Sequence, residues 1–228
     1  MSRPSEAAKA HCPTGTAEVN IYLASTSPRR RDLLRRLGLR FRILTPTASE
    51  SPDAVGVKPG DSPGRYAVAC AKAKALSVVD RVNDGLVVGV DTVVVCGKLI
   101  LGKPRSTAEA RKMLRLLSGR THSVISGVAI ARVLPSSGEC DRGRHRIVAA
   151  AETTQVTFRK LGSDEIERYI AGPEPYDKAG AYGIQDEAGV FVSRVSGCLM
   201  NVVGLPIPLL LRLLEQSRAG RVHQPRTN

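Results

Sequence analysis

The chain has 228 residues, 42% of them hydrophobic, which is enough for one well-filled domain or two small lobes sharing a cleft. Its 34 lysines and arginines against 21 acidic residues give a formal net charge of +13, which favours anionic partners such as nucleotides, nucleic acids or acidic membranes. With no Trp, 3 Phe and 5 Tyr it is poor in stacking platforms for single-stranded nucleic acid, and its 5 cysteines and 4 histidines are too dispersed for a structural zinc site.

Residues 1–18 and 218–228 are polar, basic or small without a sustained period and read as extensions, so the folded unit is expected over 19–217. It opens with an apolar run, Val19 to Ala24, that reads as a buried strand. Ser25-Thr26-Ser27-Pro28 then leads into a helix with Ser27 as N-cap, Pro28 in the first turn, Leu33, Leu34 and Leu37 on one face, and Gly38 as stop. A second helix is expected from Ser62-Pro63 to about Val79. The most β-like stretch, Leu86 to Val95, follows, with Gly97-Lys98 turning it into a hairpin with Leu99 to Leu101. Ser106 and Glu109 have capping-box spacing ahead of a helix that Gly119 closes. Strands are expected at 122–134 and 146–158, joined by an exposed connection over 135–145. A short helix from Ser163 to Ala171, a Gly-rich loop, a small hairpin near 190–196 and a last helix from Pro206 to Gln216 complete the unit. Helices and strands alternate as in a mixed α/β fold.

Several residues carry chemistry. Arg29 and Arg30 sit in the first turn of the first helix, where cations oppose the dipole unless an anion binds there; they suit either a phosphate site or a solvated basic face. Asp91 interrupts an otherwise apolar strand, and a carboxylate there needs a cation, a metal or the mouth of a cleft; the alternative is a strand bend bonded to local backbone. Thr92 next to it points to the opposite sheet face by simple alternation. Gly97 to Pro104 mimics a P-loop but has an apolar interior and Pro104 where a hydroxyl is required, so it is rejected as one. Lys103 is a point charge fixed before a proline, or else a plain surface lysine. Gln185 follows small residues from Asp177 to Gly183 that permit close backbone approach, and its amide can pair with a base edge; a structural turn explains the segment equally well.

Taken together, Leu23 to Arg31, Asp91-Thr92-Val93-Val94, Gly102-Lys103-Pro104, Leu117-Ser118-Gly119 with His122, Asp177 to Gln185 and Asn201 to Pro206 resemble, in order, the signature blocks of the Maf family. The resemblance implies an α/β fold with a mixed twisted sheet flanked by helices, two lobes around a nucleotide cleft, related to the inosine triphosphate pyrophosphatases. It implies hydrolysis of a nucleoside triphosphate to the monophosphate and pyrophosphate with a divalent cation, Mg²⁺ first and Mn²⁺ second, by a homodimer. By position, Asp91 matches the essential acidic residue, a general base or metal ligand. Ser27, Arg29, Arg30, Lys74 and Lys103 match the phosphate-binding set, and Arg29, Thr92 and Gln185 match positions that distinguish substrates. The intact stretch from Asp177 to Gln185 resembles the branch acting on dTTP and UTP. Where the family has adjacent acidic residues after its second strand, this chain has Ala48-Ser49-Glu50, which leaves Glu50 as the second carboxylate and metal ligand.

The first eighteen residues lack a leader-like apolar run, and the most apolar window, Val202 to Leu214, is broken by Pro206, Pro208 and Arg212 and falls short of the ~20 residues a bilayer span needs. A cytoplasmic protein with no membrane partner is therefore expected. The competing reading is a catalytically silent, basic nucleotide- or nucleic-acid-binding protein; beside an active enzyme, nucleic-acid binding would be secondary.

Overall fold

The computed structural model describes residues 19–48, 54–56, 61–135 and 144–218. Residues 1–18 and 219–228, Glu50 and most of the 135–145 connection lie outside the described residues; Arg218, expected to open the C-terminal extension, instead ends the last helix. Seven strands form one mixed sheet: β1 (Ile21–Ala24), β2 (Arg42–Leu44), β3 (Gly85–Cys96), β4 (Leu99–Leu101), β5 (Thr121–Val133), β6 (His145–Phe158) and β7 (Val192–Ser196). Their order is β2-β1-β3-β5-β6-β7, with β4 folded back on β3; β1 runs parallel to β2 and β3, and every other pairing is antiparallel. The helices are α1 (Pro28–Arg36), α2 (Pro63–Leu76), α3 (Thr107–Leu117), α4 (Ser163–Ile170), α5 (Leu199–Val203) and α6 (Ile207–Arg218). The expected mixed, helix-flanked sheet is thus observed.

The caps explain most boundaries. Ser62 caps α2 by accepting from the Arg65 amide, and Ser106 caps α3 by accepting from the Glu109 amide. The Glu109 carboxylate does not close the expected capping box on Ser106 but reaches one residue further, to the Arg105 amide at 2.8 Å. Three elements depart from expectation. β2 and α5 are additional, and residues 190–196 form no hairpin of their own: β7 pairs instead with the end of β6, where a register irregularity at Thr157/Phe158 bends the ladder.

β3 shows where the interior is. Its even-numbered side chains Leu86, Val88 and Val90 pack with Leu33 and Leu34 of α1 and Leu209, Leu210, Leu213 and Leu214 of α6. Further along the same face, Val94 and Cys96 belong to a second core with α3, α4 and the rings of Phe158, Tyr169, Tyr182 and Phe191. Thr92 falls between the two cores, where that face is left open. The odd-numbered face is covered by α2, which is rich in alanine on its inner side, with Ala67, Ala71 and Ala75 fully buried.

Inside the second core, His122 is 2% exposed, its Nε2 lies 2.8 Å from the Tyr182 hydroxyl, and it packs edge-on against Phe158 and Tyr182. Burial lowers its pKa from 6.5 to about 4. The fold therefore favours the neutral ring, and the stabilisation is fully present above pH 6.5 and lost as pH falls toward 4, where the unfolded chain binds a proton that the folded one does not. Chemical unfolding at stepwise lower pH should show stability falling over that interval by on the order of 3 kcal/mol from this group. In His122→Gln, which does not titrate, this part of the acid slope should disappear.

Candidate active site

A cleft of about 750 Å³ opens at the gap between the cores. β1 ends at Ala24 beside Gly89, while β3 runs on, so the loop Ser25 to Ser27 and the N-terminus of α1 lie alongside Asp91 and Thr92. Eight of the nine candidate residues line this one cleft: Ser27, Arg29, Arg30, Lys74, Asp91, Thr92, Lys103 and Gln185. Glu50 is the ninth, outside the described residues.

Asp91 and Lys74 form its floor. Lys74 Nζ donates to Asp91 Oδ1 at 2.6 Å, and both side chains are only 11% exposed. This answers the cost of placing a carboxylate in an apolar strand, which is supported only where a cation is in place. The pairing depends on two glycines. A Cβ at Gly89 would sit 2.1 Å from the Ala71 carbonyl oxygen, and one at Gly127, directly across from Asp91, 2.2 Å from the Ala67 carbonyl oxygen. Without side chains at those points, α2 lies against the sheet closely enough for Lys74 to meet Asp91.

The phosphate-side residues differ in how firmly they are held. Ser27 is the N-cap of α1, yet its hydroxyl makes no capping bond, and the first turn holds no acidic residue. The first-turn N–H groups are therefore without a side-chain cap, as an anion site requires. Arg30 is engaged at all three nitrogens: Nε donates to the Gly204 carbonyl at 3.0 Å, Nη1 to Ser25 Oγ at 3.3 Å and Nη2 to Thr92 Oγ1 at 3.1 Å. Among the described residues Arg29 makes one ion pair, 3.1 Å to the exposed Asp177 across the cleft. Lys103 is exposed and makes no hydrogen bond or ion pair among the described residues. Asp91 and Thr92 point to opposite sheet faces as alternation requires, and both still line the cleft because β1 pairs with β3 only as far as Gly89 and β4 only from Val94, which leaves that edge of β3 without a neighbouring strand between them.

The far wall comes from residues 177–186, within a segment that carries three 3-10 turns, Glu174–Asp177, Ala179–Ala181 and Glu187–Phe191, rather than running as an open loop. Gly180, at φ +72°, donates its amide to the Gly102 carbonyl at 3.0 Å, and a Cβ there would meet Val94 at 3.0 Å. This is the close approach that glycine permits, and it sets the segment against the turn carrying Lys103. Lys178 is buried and binds the Glu174 carbonyl and Asp177 Oδ1, both at 2.8 Å. Burial works against ionisation of Asp177, but the Lys178 bond and the nearby Arg29 and Lys178 charges hold its carboxyl below its ordinary range. Gln185 ends exposed at the cleft wall.

Sequence reasoning missed Asp177 as the partner of Arg29, and it missed Ser126 and Gly204 as supports of Thr92 and Arg30. It reached Lys74 through resemblance alone, although a lysine in line with Ala67 and Ala71 on the buried side of a helix was a usable signal.

No three His, Cys, Asp or Glu side chains cluster as metal ligands among the described residues. A divalent cation in the cleft would draw on Asp91, whose Oδ2 accepts no hydrogen bond from the described residues, and on oxygens of a bound anion. Mg²⁺ is commonly held in this way, by one or two carboxylates plus phosphate oxygens, so the donor set fits it.

A family model described as Maf-like protein matches residues 20–217. The chain belongs to the Maf family. Among its relatives, the dTTP/UTP pyrophosphatase of Pelotomaculum thermopropionicum is 43% identical over 196 residues, covering 86% of this chain and 95% of that protein. The dTTP/UTP pyrophosphatase of Bacillus cereus is 42% identical over 203 residues, covering 89% and 98%. The solved Ham1 protein of Staphylococcus aureus matches 86% of this chain and 98% of its own at 14% identity and a TM-score of 0.41, too distant a likeness to bear an argument.

Gly127→Ala should test how the floor is built. Forcing a methyl group against the Ala67 carbonyl should destabilise the fold by about 1–3 kcal/mol and lift α2 from the sheet. Thermal unfolding should show the loss of stability.

Proposed function

We propose that this chain hydrolyses nucleoside triphosphates, dTTP and UTP foremost, to the monophosphate and pyrophosphate, clearing surplus or aberrant nucleotides. The observation that carries the reading is a cleft in which a buried carboxylate stands among phosphate-compatible cations, in a chain more than 40% identical over nearly its whole folded length to proteins named dTTP/UTP pyrophosphatase.

In this mechanism the uncapped amides of α1 and the Arg29 and Lys103 cations receive the triphosphate. Lys74 fixes the Asp91 carboxylate, and Asp91 orients the water that attacks the α-phosphorus. The bond from the α-phosphorus to the bridging oxygen breaks, and the charge on the departing pyrophosphate is met by the same cations. A divalent cation, Mg²⁺ or Mn²⁺, held by Asp91 with Glu50, supplies further neutralisation of the phosphate oxygens when bound. Gln185 reads the base edge. The same reading places the enzyme in the cytoplasm, which the free thiols Cys96 and Cys198 support, and makes it a homodimer on the family resemblance alone. No helix among the described residues is long and apolar enough to cross a membrane.

The direct test is pyrophosphate release from a panel of standard and modified nucleoside triphosphates with Mg²⁺. Wild type should favour dTTP and UTP. Asp91→Asn should lose at least about a hundredfold in rate, and Lys103→Ala about ten- to a hundredfold in kcat/KM. Silence of well-folded wild type across the panel would instead favour the binding-protein reading, which steeply salt-dependent nucleic-acid binding would then support. Gln185→Glu should change the relative rates on dTTP, UTP and GTP; unchanged ratios would remove Gln185 from base recognition.

A further inference from the structure

Thr92 on β3 and Ser126 on β5 face each other in register between the two cores, Thr92 at the cleft and Ser126 behind it in the interior. Their hydroxyl oxygens are 2.8 Å apart, a distance that allows either to be the donor. The surroundings decide between them. Ser126 is fully buried, and Thr92 is the only hydrogen-bond partner of its hydroxyl among the described residues. A hydroxyl has one proton and two lone pairs. Were Thr92 the donor, the Ser126 proton would be buried with no acceptor. With Ser126 as donor only a lone pair goes unused, which folded proteins tolerate more readily. Thr92 Oγ1 also accepts from Arg30 Nη2 at 3.1 Å, so both of its lone pairs are filled. The proton of Thr92 is then directed away from Ser126 and Arg30, into the cleft that Thr92 lines.

We propose that Ser126 is a positioning residue which, together with Arg30, sets Thr92 as a one-way hydrogen-bond donor to an acceptor oxygen of the bound nucleotide. The proposal rests on the reading that the cleft takes a nucleoside triphosphate. Phosphate oxygens and the ring carbonyls of thymine and uracil are acceptors only, whereas the exocyclic amine of cytosine or adenine is a donor. A fixed donor attracts the first group and rejects the second. A hydroxyl free to rotate would accept from an amine as readily as it donates to a carbonyl. The surroundings of Arg30 support the same arrangement: it also donates to the Ser25 hydroxyl and the Gly204 carbonyl, so the donor into Thr92 does not depend on ligand.

The test compares Ser126→Ala, Thr92→Val, the double variant and Thr92→Ser in the full-length protein. It measures kcat/KM for dTTP, UTP and CTP, and calorimetric binding of a non-hydrolysable α,β-imido dUTP and of tripolyphosphate. Ser126→Ala should lower kcat/KM for dTTP and UTP, and affinity for the analogue, by about tenfold. Thr92→Val should lose at least as much, Ser126→Ala should add nothing in the Thr92→Val background, and Thr92→Ser should recover most of the loss. A loss concentrated on dTTP and UTP, narrowing their advantage over CTP, places the acceptor on the base. An equal loss on all three, with weaker tripolyphosphate binding, places it on a phosphate. Either outcome supports the relay. Wild-type kinetics and affinity in Ser126→Ala, or a full additional loss from Ser126→Ala in the Thr92→Val background, would overturn it. Should Ser126→Ala be unstable, Ser126→Cys keeps the volume, weakens the donor and carries the same comparison. Absence of pyrophosphate release from every nucleotide by wild type would defeat the hydrolytic reading, while binding of the analogue would still judge the relay.

Discussion

The structure depends on one ion pair, Lys74 with Asp91, set into the interface between a helix and the longest parallel-paired strand of the sheet. Neither charge is stable alone at that depth. An unpaired carboxylate or ammonium there would cost several kcal/mol, and removing one member would strand the other. The pair forms only if α2 lies within backbone contact of β3 and β5, which is why alanines line the helix and glycines stand at 89 and 127 of the sheet. A larger residue at either glycine would separate the layers and the charges together. The smallest residues of the chain thus set the position of its buried ion pair.

The cleft is a consequence of how the opposite face is covered. β3 is long enough to pass under two separate groups of helices, α1 with α6 toward its start and α3 with α4 toward its end. Two helical cores over one continuous strand leave a trough where they meet, and Thr92 and Ser126 are the polar residues at that point. The trough also receives the end of β1, because a parallel neighbour that stops early leaves its loop and the following helix N-terminus beside the strand that continues. Backbone amides, a buried carboxylate and a hydroxyl pair therefore converge through the length difference between two strands.

Much of this was legible in the sequence, and the reasons for the rest are local. α1, α2 and α3 were readable because Ser27, Ser62 and Ser106 precede them and their apolar residues repeat at helical spacing. β3 was readable because eleven of its twelve residues are buried and all but Asp91 and Thr92 are apolar or glycine. β2 was not, since Arg42-Ile43-Leu44 is three residues at an open edge with no buried alternation. β7 read as half of a hairpin because its partner lies about forty residues earlier, a pairing that no local pattern encodes. Asp91 declared itself by its cost. Ser126 could not, since a serine in a strand is unremarkable until the residue across from it is known to hold an arginine. Asp177 was seen as part of a motif, but its partner Arg29 lies 148 residues away and only the fold joins them.

The cations of the cleft are graded by how fully the protein uses them, and this bears on how a triphosphate could enter. Arg30 is bonded at every nitrogen to groups on three different segments, so a ligand gains little by displacing those bonds and the residue serves chiefly to hold the walls together. Lys74 is committed to Asp91 by burial as well as by distance. Arg29 is 30% exposed and its partner Asp177 is 59% exposed, so that bond is screened and weak. A phosphate with several oxygens can replace Asp177 there at small cost, and Lys103 has no protein partner among the described residues to give up. On the proposed reading, the fixed cations form the frame and the exchangeable ones would meet the charge of an incoming triphosphate. Because Asp177 is also tied to Lys178 in the segment that carries Gln185, withdrawing Arg29 from it loosens an ion pair that joins the α1 side of the cleft to that segment. On the proposed reading of the cleft, charge recognition and base recognition would thereby be linked through the exposed Asp177 carboxylate.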